Sequence, residues 1–450
     1  MSGKMMIGKR ALVVWVLVTG LVGGALAQDK GASLSPVEQQ LVVRINEQLP
    51  KARALLTTAV NINSGTMNFK GVRLVGTLFQ QQFTQMGFET KWLGGDKFGR
   101  AGHLRASFKG KDSANAPKIL LIGHLDTVFS KNDPLQSATQ VDEQHIAGPG
   151  ITDMKGGDVI IIAILQALKH QGLLERFNLQ VVMTGDEELS GKPLALSKKA
   201  IIDGGKWADI ALGFEDGDGD VRTAVASRRG SVHWSLQVTG RPAHSSQIFS
   251  EQNGYGAIFE TARILNTFRL ELMDEKLLTF NPGLLAGGSK VENDEINSTA
   301  TAYGKDNIIA QTSRVTGDIR AISPQQLNRS QGKMQEIAAK NLLHTSAILT
   351  FDEGYPPMAQ SAGNLALLAK YSQVSVDLGF GPVQAVDPRR AGAADISFAA
   401  AHVDMALDGL GLMGEGGHTK DEVADMTSFG QNMQKSALLL YRLSTQPDTK

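Results

Sequence analysis

The sequence predicts an α/β protein: a mainly parallel sheet with helices on both faces, interrupted by an α+β insert. Three observations carry this. Apolar runs at 118–123, 179–184 and 208–214 alternate with helix-length amphipathic stretches, the pattern of parallel strands joined by crossover helices. From about residue 228 the texture changes to strict alternation, VHWSLQV at 232–238, which marks a half-buried antiparallel strand. From residue 364 onward helix and strand alternate again. The expected organisation is therefore one domain in two segments, 28–227 and 355–450, with the insert at 228–354 between them.

The elements follow in order. Lys4, Lys9 and Arg10 precede an apolar run at 11–22 and the small-residue stretch Ala25-Leu26-Ala27. This is the three-part pattern of a secretory signal peptide, with cleavage expected before Gln28. Ser35, Pro36 and Glu38 form a capping box with Pro at the first helical position, and apolar residues recur at helical spacing from Leu41 to Leu55. A second amphipathic helix is expected over about 72–86, stopped by Gly87, and an apolar one over 154–170. Within the insert, a helix at about 254–268 and strands at 306–322 and 346–352 complete the α+β pattern.

Composition limits the chemistry. Hydrophobic residues are 42%, enough for a sizeable core. The formal net charge is zero, and about −3 once residues 1–27 are removed, so nothing favours nucleic acid. There is no cysteine, so any metal must be held by His, Asp and Glu, a set suited to catalytic zinc or manganese.

The candidate residues cluster after the strands, and ligands of open α/β sheets bind beyond the carboxyl ends of their strands. His124 ends the run KILLIGH and stands two residues before Asp126, whose carboxylate is expected to take the ring N–H that a metal-binding imidazole leaves free. Asp153 lies among glycines in GPGITDMKGG, where the backbone must turn tightly or pass close to a neighbour. Glu187 and Glu188 end another strand side by side. Two adjacent carboxylates repel unless their roles differ, so one ligand and one base is the simplest assignment. Glu215 ends a third strand. The acids after it, Asp216, Asp218 and Asp220, do not fit a calcium loop and are expected to form a solvated turn. His244, in GRPAHSS, and His418, in GEGGH, both sit among small residues that permit close approach. The other histidines have no comparable context.

Taken together, LIGHLDTV, GPGITDMKGG, GDEE, GFE and GEGGH resemble the M20 family of metallopeptidases and occur in that family's order across about residues 35–445. The resemblance implies two zinc ions, with manganese or cobalt as alternatives. His124 and Glu215 would hold one, Glu188 and His418 the other, and Asp153 would bridge them, followed by a cis Asp153-Met154 bond. It implies Glu187 as general base. The insert would be a lid and dimerisation domain, making the protein a homodimer. His244 would reach the partner's site to steady the oxyanion, and Asn307 and Arg320 would bind substrate, the planar fork of Arg320 suiting a carboxylate. Two departures, Ala391-Gly392-Ala393-Ala394-Asp395 in place of Gly-Gly-Gly-Thr-Asp and Leu189-Ser190-Gly191 after Glu188, touch pocket shape and leave the ligands intact.

The implied activity is that of an exported, periplasmic or secreted, carboxypeptidase. It would cut the amide bond before a C-terminal residue with a free carboxylate, glutamate among the candidates, in peptides or N-acyl conjugates. A deacylase of N-acyl amino acids or an aminopeptidase would use the same metals. A metal-free binding protein on this fold is the third alternative, and the complete ligand set argues against it.

Overall fold

The structure, a computed structural model, describes residues 34–445 apart from 136 and 295–298. The expected signal peptide at 1–27 lies outside the described residues. In chain order the strands used below are β1 (Glu89–Gly94), β2 (Gly102–Lys109), β3 (Lys118–His124), β4 (Asn178–Thr184), β5 (Ile210–Gly213), β6 (Val232–Gly240), β7 (Thr279–Gly288), β8 (Thr312–Arg320), β9 (Thr345–Phe351) and β10 (Met405–Leu407). The helices are α1 (Pro36–Val60), α2 (Phe69–Met86), α3 (Gly156–His170), α4 (Lys199–Trp207), α5 (Gly256–Leu272), α6 (Pro324–Ala339), α7 (Ala362–Asp377) and α8 (Met426–Thr445).

The central sheet runs β1-β2-β4-β3-β5-β10. Strands β4, β3, β5 and β10 are mutually parallel, and β1 and β2 add an antiparallel edge. Alternation along β3 shows why the run at 118–123 reads as continuously apolar. Ile119 and Leu121 point into a core shared with α1, α2, α3 and α8, while Leu120 and Ile122 point into a second core with Ile201 of α4 and residues 396–399. Both faces are covered, as expected of a parallel sheet.

The antiparallel sheet between the two segments runs β7-β8-β6-β9. Val232, Trp234, Leu236 and Val238 of β6 bury one face under α5 and α6, while His233 and Gln237 on the other face are exposed. The chain enters this sheet through Arg228–Ser231 and leaves it through 354–358. The two stretches lie antiparallel, with Arg228 paired to Met358 and Ser231 to Tyr355.

Local signals place most boundaries. Ser35 and Glu38 form the expected reciprocal cap on α1, which continues past its internal Pro50 to Val60. Gly87, at φ 94°, ends α2 in the left-handed conformation that glycine tolerates. The apolar helix expected from residue 154 begins at Gly156 instead. The stretch Ile151–Lys155 before it has non-helical dihedrals at Asp153 and Met154 and a cis bond between them. Among the described residues no helix is long and apolar enough to cross a membrane.

Candidate active site

Strand ends deliver the acidic and basic side chains to one rim of the central sheet. His124 is the last residue of β3, Glu187 and Glu188 follow β4 after Gly185 and Asp186, and Glu215 follows β5. Asp153 comes from the turn before α3. Glycine lets this turn form: Gly150 has φ 67°, and a Cβ on Gly157 would stand 1.9 Å from the main-chain oxygen of Phe214. His418 sits at φ 64° in a loop just before the last helix of the second segment.

These five meet. Asp153 Oδ1 lies 3.0 Å from His124 Nε2, and its Oδ2 lies 2.8 Å from His418 Nε2. Glu215 Oε1 is 3.7 Å from His124 Nε2, and Glu188 Oε2 is 3.2 Å from His418 Nε2. The donors form two overlapping groups, His124-Asp153-Glu215 and Asp153-Glu188-His418, each with all ligand atoms within 4.8 Å of one another. Asp153 belongs to both. The residues fit a pair of divalent cations. The donors are imidazole nitrogens and carboxylate oxygens, and the second oxygen of Glu188, Oε1, is buried with no hydrogen-bond partner, an orphan that a cation would satisfy.

The electrostatics agree. Burial raises the carboxyl pKa of Glu215 and Glu187 well above the usual range, with neighbouring carboxylates adding to the rise and His124 opposing it. Burial likewise raises that of Glu188. For His124 burial alone would lower the pKa, but the charges of Glu215, Asp153 and Asp126 outweigh it and lift the value well above 6.5. Hydrogen bonds to Asp153 and Glu188 push His418 to about 11. Without positive charge, carboxylates this crowded take protons; cations would let them stay ionised.

Around this set lies a layer of buried supports. Asp126 differs in detail from expectation. His124 Nδ1 lies 3.0 Å from the main-chain oxygen of Asp126 and 3.6 Å from its carboxylate. That carboxylate is occupied elsewhere, accepting the N–H groups of Glu187 at 3.1 Å and Glu188 at 3.2 Å and the Thr66 hydroxyl at 2.6 Å. It holds the two glutamates more directly than the histidine. Glu422 accepts from Gly150, Thr152 and Asp153 and so shapes the turn that presents Asp153. Arg228 pairs with Asp408 at 2.8 Å, and the other oxygen of Asp408 accepts the N–H of Glu215 at 3.3 Å. Lys198, fully buried, bridges Asp186 and Asp395 at 3.1 and 2.9 Å. The expected solvated turn after Glu215 is corrected. The Asp218 side chain is only 3% exposed and pairs with Arg390, Asp220 pairs with Arg222, and burial beside Asp153 raises Asp216 to about 7.

Glu422, Lys198 and Asp408 escaped the sequence reading, and Asp395 entered it only as the end of the segment 391–395 that touches pocket shape. Asp408 had a signal: it follows the apolar strand β10 just as Glu215 follows β5, an acid at a buried strand's carboxyl end. Lys198 had none, since nothing near it in sequence distinguishes a buried lysine from the exposed Lys199 beside it.

The residues of the insert stand apart. His244 is exposed, with Nδ1 2.8 Å from Ser246 Oγ, and its segment pairs with that of Asn307 through Ser245 N–H to Asn307 O at 2.9 Å. Arg320 ends β8 and pairs with Asp318 at 3.0 Å. Among the described residues no hydrogen bond or ion pair joins these three to the five clustered side chains.

Residues 120–443 match the model of peptidase family M20/M25/M40. The chain is 25% identical over 444 residues to carboxypeptidase G2 of Pseudomonas sp. (strain RS-16), covering 96% of this chain and 98% of that protein. Among solved structures it is similar to a tripeptidase from Staphylococcus aureus (TM-score 0.68, 20% identity, 88% of this chain and 99% of that one). It is also similar to a dinuclear metal binding peptidase of the M20 family from Bacillus subtilis (TM-score 0.63, 14% identity, 88% and 98%). With four side chains gathered on a shared aspartate and a family match across most of its length, this chain belongs to peptidase family M20/M25/M40 and is a hydrolase.

Proposed function

We propose that this chain is an exported two-zinc carboxypeptidase that cleaves the amide bond before a C-terminal residue bearing a free carboxylate, with glutamate the first residue to test there. One observation carries the reading: Asp153 stands between two donor groups, each oxygen within 3.0 Å of a different histidine. The similarity to carboxypeptidase G2 over nearly the whole chain supports the bond class.

Bound at this site, a pair of divalent cations would lower the pKa of water and polarise the scissile carbonyl. His124 and Glu215 would hold one, Glu188 and His418 the other, with Asp153 between. Glu187, whose carboxyl pKa burial raises well above its ordinary value, would take the proton of the attacking water and deliver it to the leaving amine. Arg320 would bind the substrate carboxylate bidentately and set the amide over the site, with Asn307 beside it. His244 would donate to the developing oxyanion.

In this reading residues 28–227 and 355–450 form the catalytic domain, and 228–354 form a lid through which two copies pair. The exposure of His244 suits a residue that serves the partner's site. Phe249 and Phe259 stack edge to face at 5.4 Å while remaining 57% and 50% exposed, an apolar patch of the kind a second copy would cover. A cleaved leader at 1–27 would send the mature enzyme to the periplasm or outside the cell.

The test is a hydrolysis screen with metal-replete mature protein. Blocked dipeptides with free C-termini, varied at the last residue, run beside acetylated single amino acids and unblocked peptides. Preference for the acetylated amino acids, or for free N-termini, would replace the carboxypeptidase reading with a deacylase or an aminopeptidase. Metal analysis of the purified protein decides zinc against manganese or cobalt.

A further inference from the structure

Glu187 is held only by its main chain. Among the described residues its carboxylate makes no hydrogen bond, whereas its N–H donates to Asp126 Oδ1 at 3.1 Å and its carbonyl oxygen accepts from Tyr355 Oη at 2.9 Å. Among the described residues these two main-chain hydrogen bonds are the polar contacts that set the direction in which this side chain leaves the backbone. The Tyr355 side of that clamp comes from a distant part of the molecule. Tyr355 lies just beyond β9, on the stretch that returns from the antiparallel sheet, and it exchanges two main-chain hydrogen bonds of 3.0 Å with Ser231 on the entering stretch.

The hydroxyl of Tyr355 has three neighbours: the Glu187 carbonyl at 2.9 Å, Ser190 Oγ at 3.1 Å and Asp395 Oδ1 at 3.3 Å. It has one proton to give. Asp395 is already supplied, since Lys198 Nζ reaches the same oxygen at 2.9 Å and the Thr184 hydroxyl reaches the other at 2.5 Å. Ser190 can donate. The shortest contact therefore receives the tyrosine's proton, and burial raises the phenol's pKa well above its ordinary value, so the proton stays available. The ring is fixed edge to face against Phe398, centroids 4.9 Å apart, and Lys198 Nζ lies 5.3 Å from its centre.

We propose that Tyr355 is a positioning residue for Glu187: its hydroxyl, anchored at the junction of the two sheets, holds the Glu187 carbonyl and thereby aims the carboxylate at the space between the two donor groups. This rests on Glu187 being the base. It adds a direct link from the base of the antiparallel sheet to the reacting centre, so that a shift of that sheet reaches the base through one hydrogen bond.

The test is a double-mutant cycle in metal-loaded enzyme, using the best substrate from the screen. Tyr355→Phe is expected to lower kcat about tenfold, the scale of one hydrogen bond, with KM within about twofold and metal content unchanged. In a Glu187→Asp background, where the carboxylate is already drawn back from its place, the same change is expected to cost less than about twofold. Unchanged kcat in Tyr355→Phe, or the same tenfold loss in both backgrounds, would overturn the proposal. So would loss of metal or a fall in Tm beyond about 10 °C, which would mark the hydroxyl as a purely structural contact. Wild-type activity in Glu187→Asp would show that the carboxylate's place does not matter and would overturn the positioning role, while wild-type activity in Glu187→Gln would remove the base assignment itself. With Glu187→Asp impaired and Tyr355→Phe fully active, only the positioning role fails. No hydrolysis of any substrate by the loaded wild type would end both.

Discussion

Thr152 and Glu422 lie 270 residues apart and meet through two hydrogen bonds, from the Thr152 N–H at 2.8 Å and from its hydroxyl at 3.0 Å, both to Glu422 Oε1. The other oxygen of Glu422 takes the N–H of Gly150 at 2.8 Å. One buried carboxylate from the His418 loop therefore shapes the turn that presents Asp153. Glu422→Ala should leave the turn's N–H groups unpaired and loosen both loops at once. The expected outcome is a loss of about 10–100-fold in metal affinity or in kcat/KM, read by metal titration and steady-state kinetics.

Glu187→Gln keeps the shape of the side chain and removes its basicity. Metal content should stay normal while kcat falls by about 10²–10⁴-fold. Retained turnover would strike Glu187 from the mechanism.

Arg228 and Asp408 form a buried ion pair, 5% and 1% exposed, that supports the N–H of Glu215. Removing one partner strands a charge. Arg228→Met should destabilise the fold by about 3–5 kcal/mol in urea unfolding, and adding Asp408→Leu should restore part of that loss. Recovery should be incomplete, because Asp408 also accepts from Glu215 and Gly409.

If His244 acts across a dimer, inactive His244→Ala and Glu187→Ala chains should complement. Mixed dimers carry one site with both residues intact, so activity should recover toward a quarter to a half of wild type on mass-action grounds. Verified mixed dimers without activity would confine His244 to its own subunit. Arg320→Ala should harm substrates with a free carboxylate far more than their amidated analogues, by about 1.5–3 kcal/mol in kcat/KM, the worth of a hydrogen bond to a charged group.

Lys435 lies in a part of the fold separate from the five clustered side chains and makes stability depend on pH. Its Nζ donates to Val221 O at 2.6 Å and lies 5.0 Å from the Tyr371 ring centre, and burial lowers its pKa from 10.5 to about 7. Between those values the unfolded chain carries a proton that the folded chain has shed. The folded state therefore gains stability as pH rises through the window and loses it as pH falls toward 7. Lys435→Met should flatten this part of the stability curve, measured as the urea midpoint at pH 7 and pH 9.5.

By itself the sequence determined the architecture and the five clustered side chains. Periodicity separates the parallel sheet from the antiparallel one, because a strand buried on both faces, such as β3, reads as unbroken apolar residues while β6 alternates. Each acid or histidine at a strand's end is visible because it interrupts an apolar run where an open α/β sheet places its site. Tertiary structure alone decided the supports. Lys198, Tyr355, Asp395, Asp408 and Glu422 act through partners 12 to 272 residues away. Apart from Asp408, at the end of an apolar strand, and Asp395, at the end of the segment 391–395, their local sequence looks like ordinary surface or loop, and only packing excludes the water that would otherwise serve their charges. It also decided that Asp126 holds the glutamates' main chain ahead of the His124 ring, since that choice turns on a difference between 3.0 and 3.6 Å that no spacing in a sequence records.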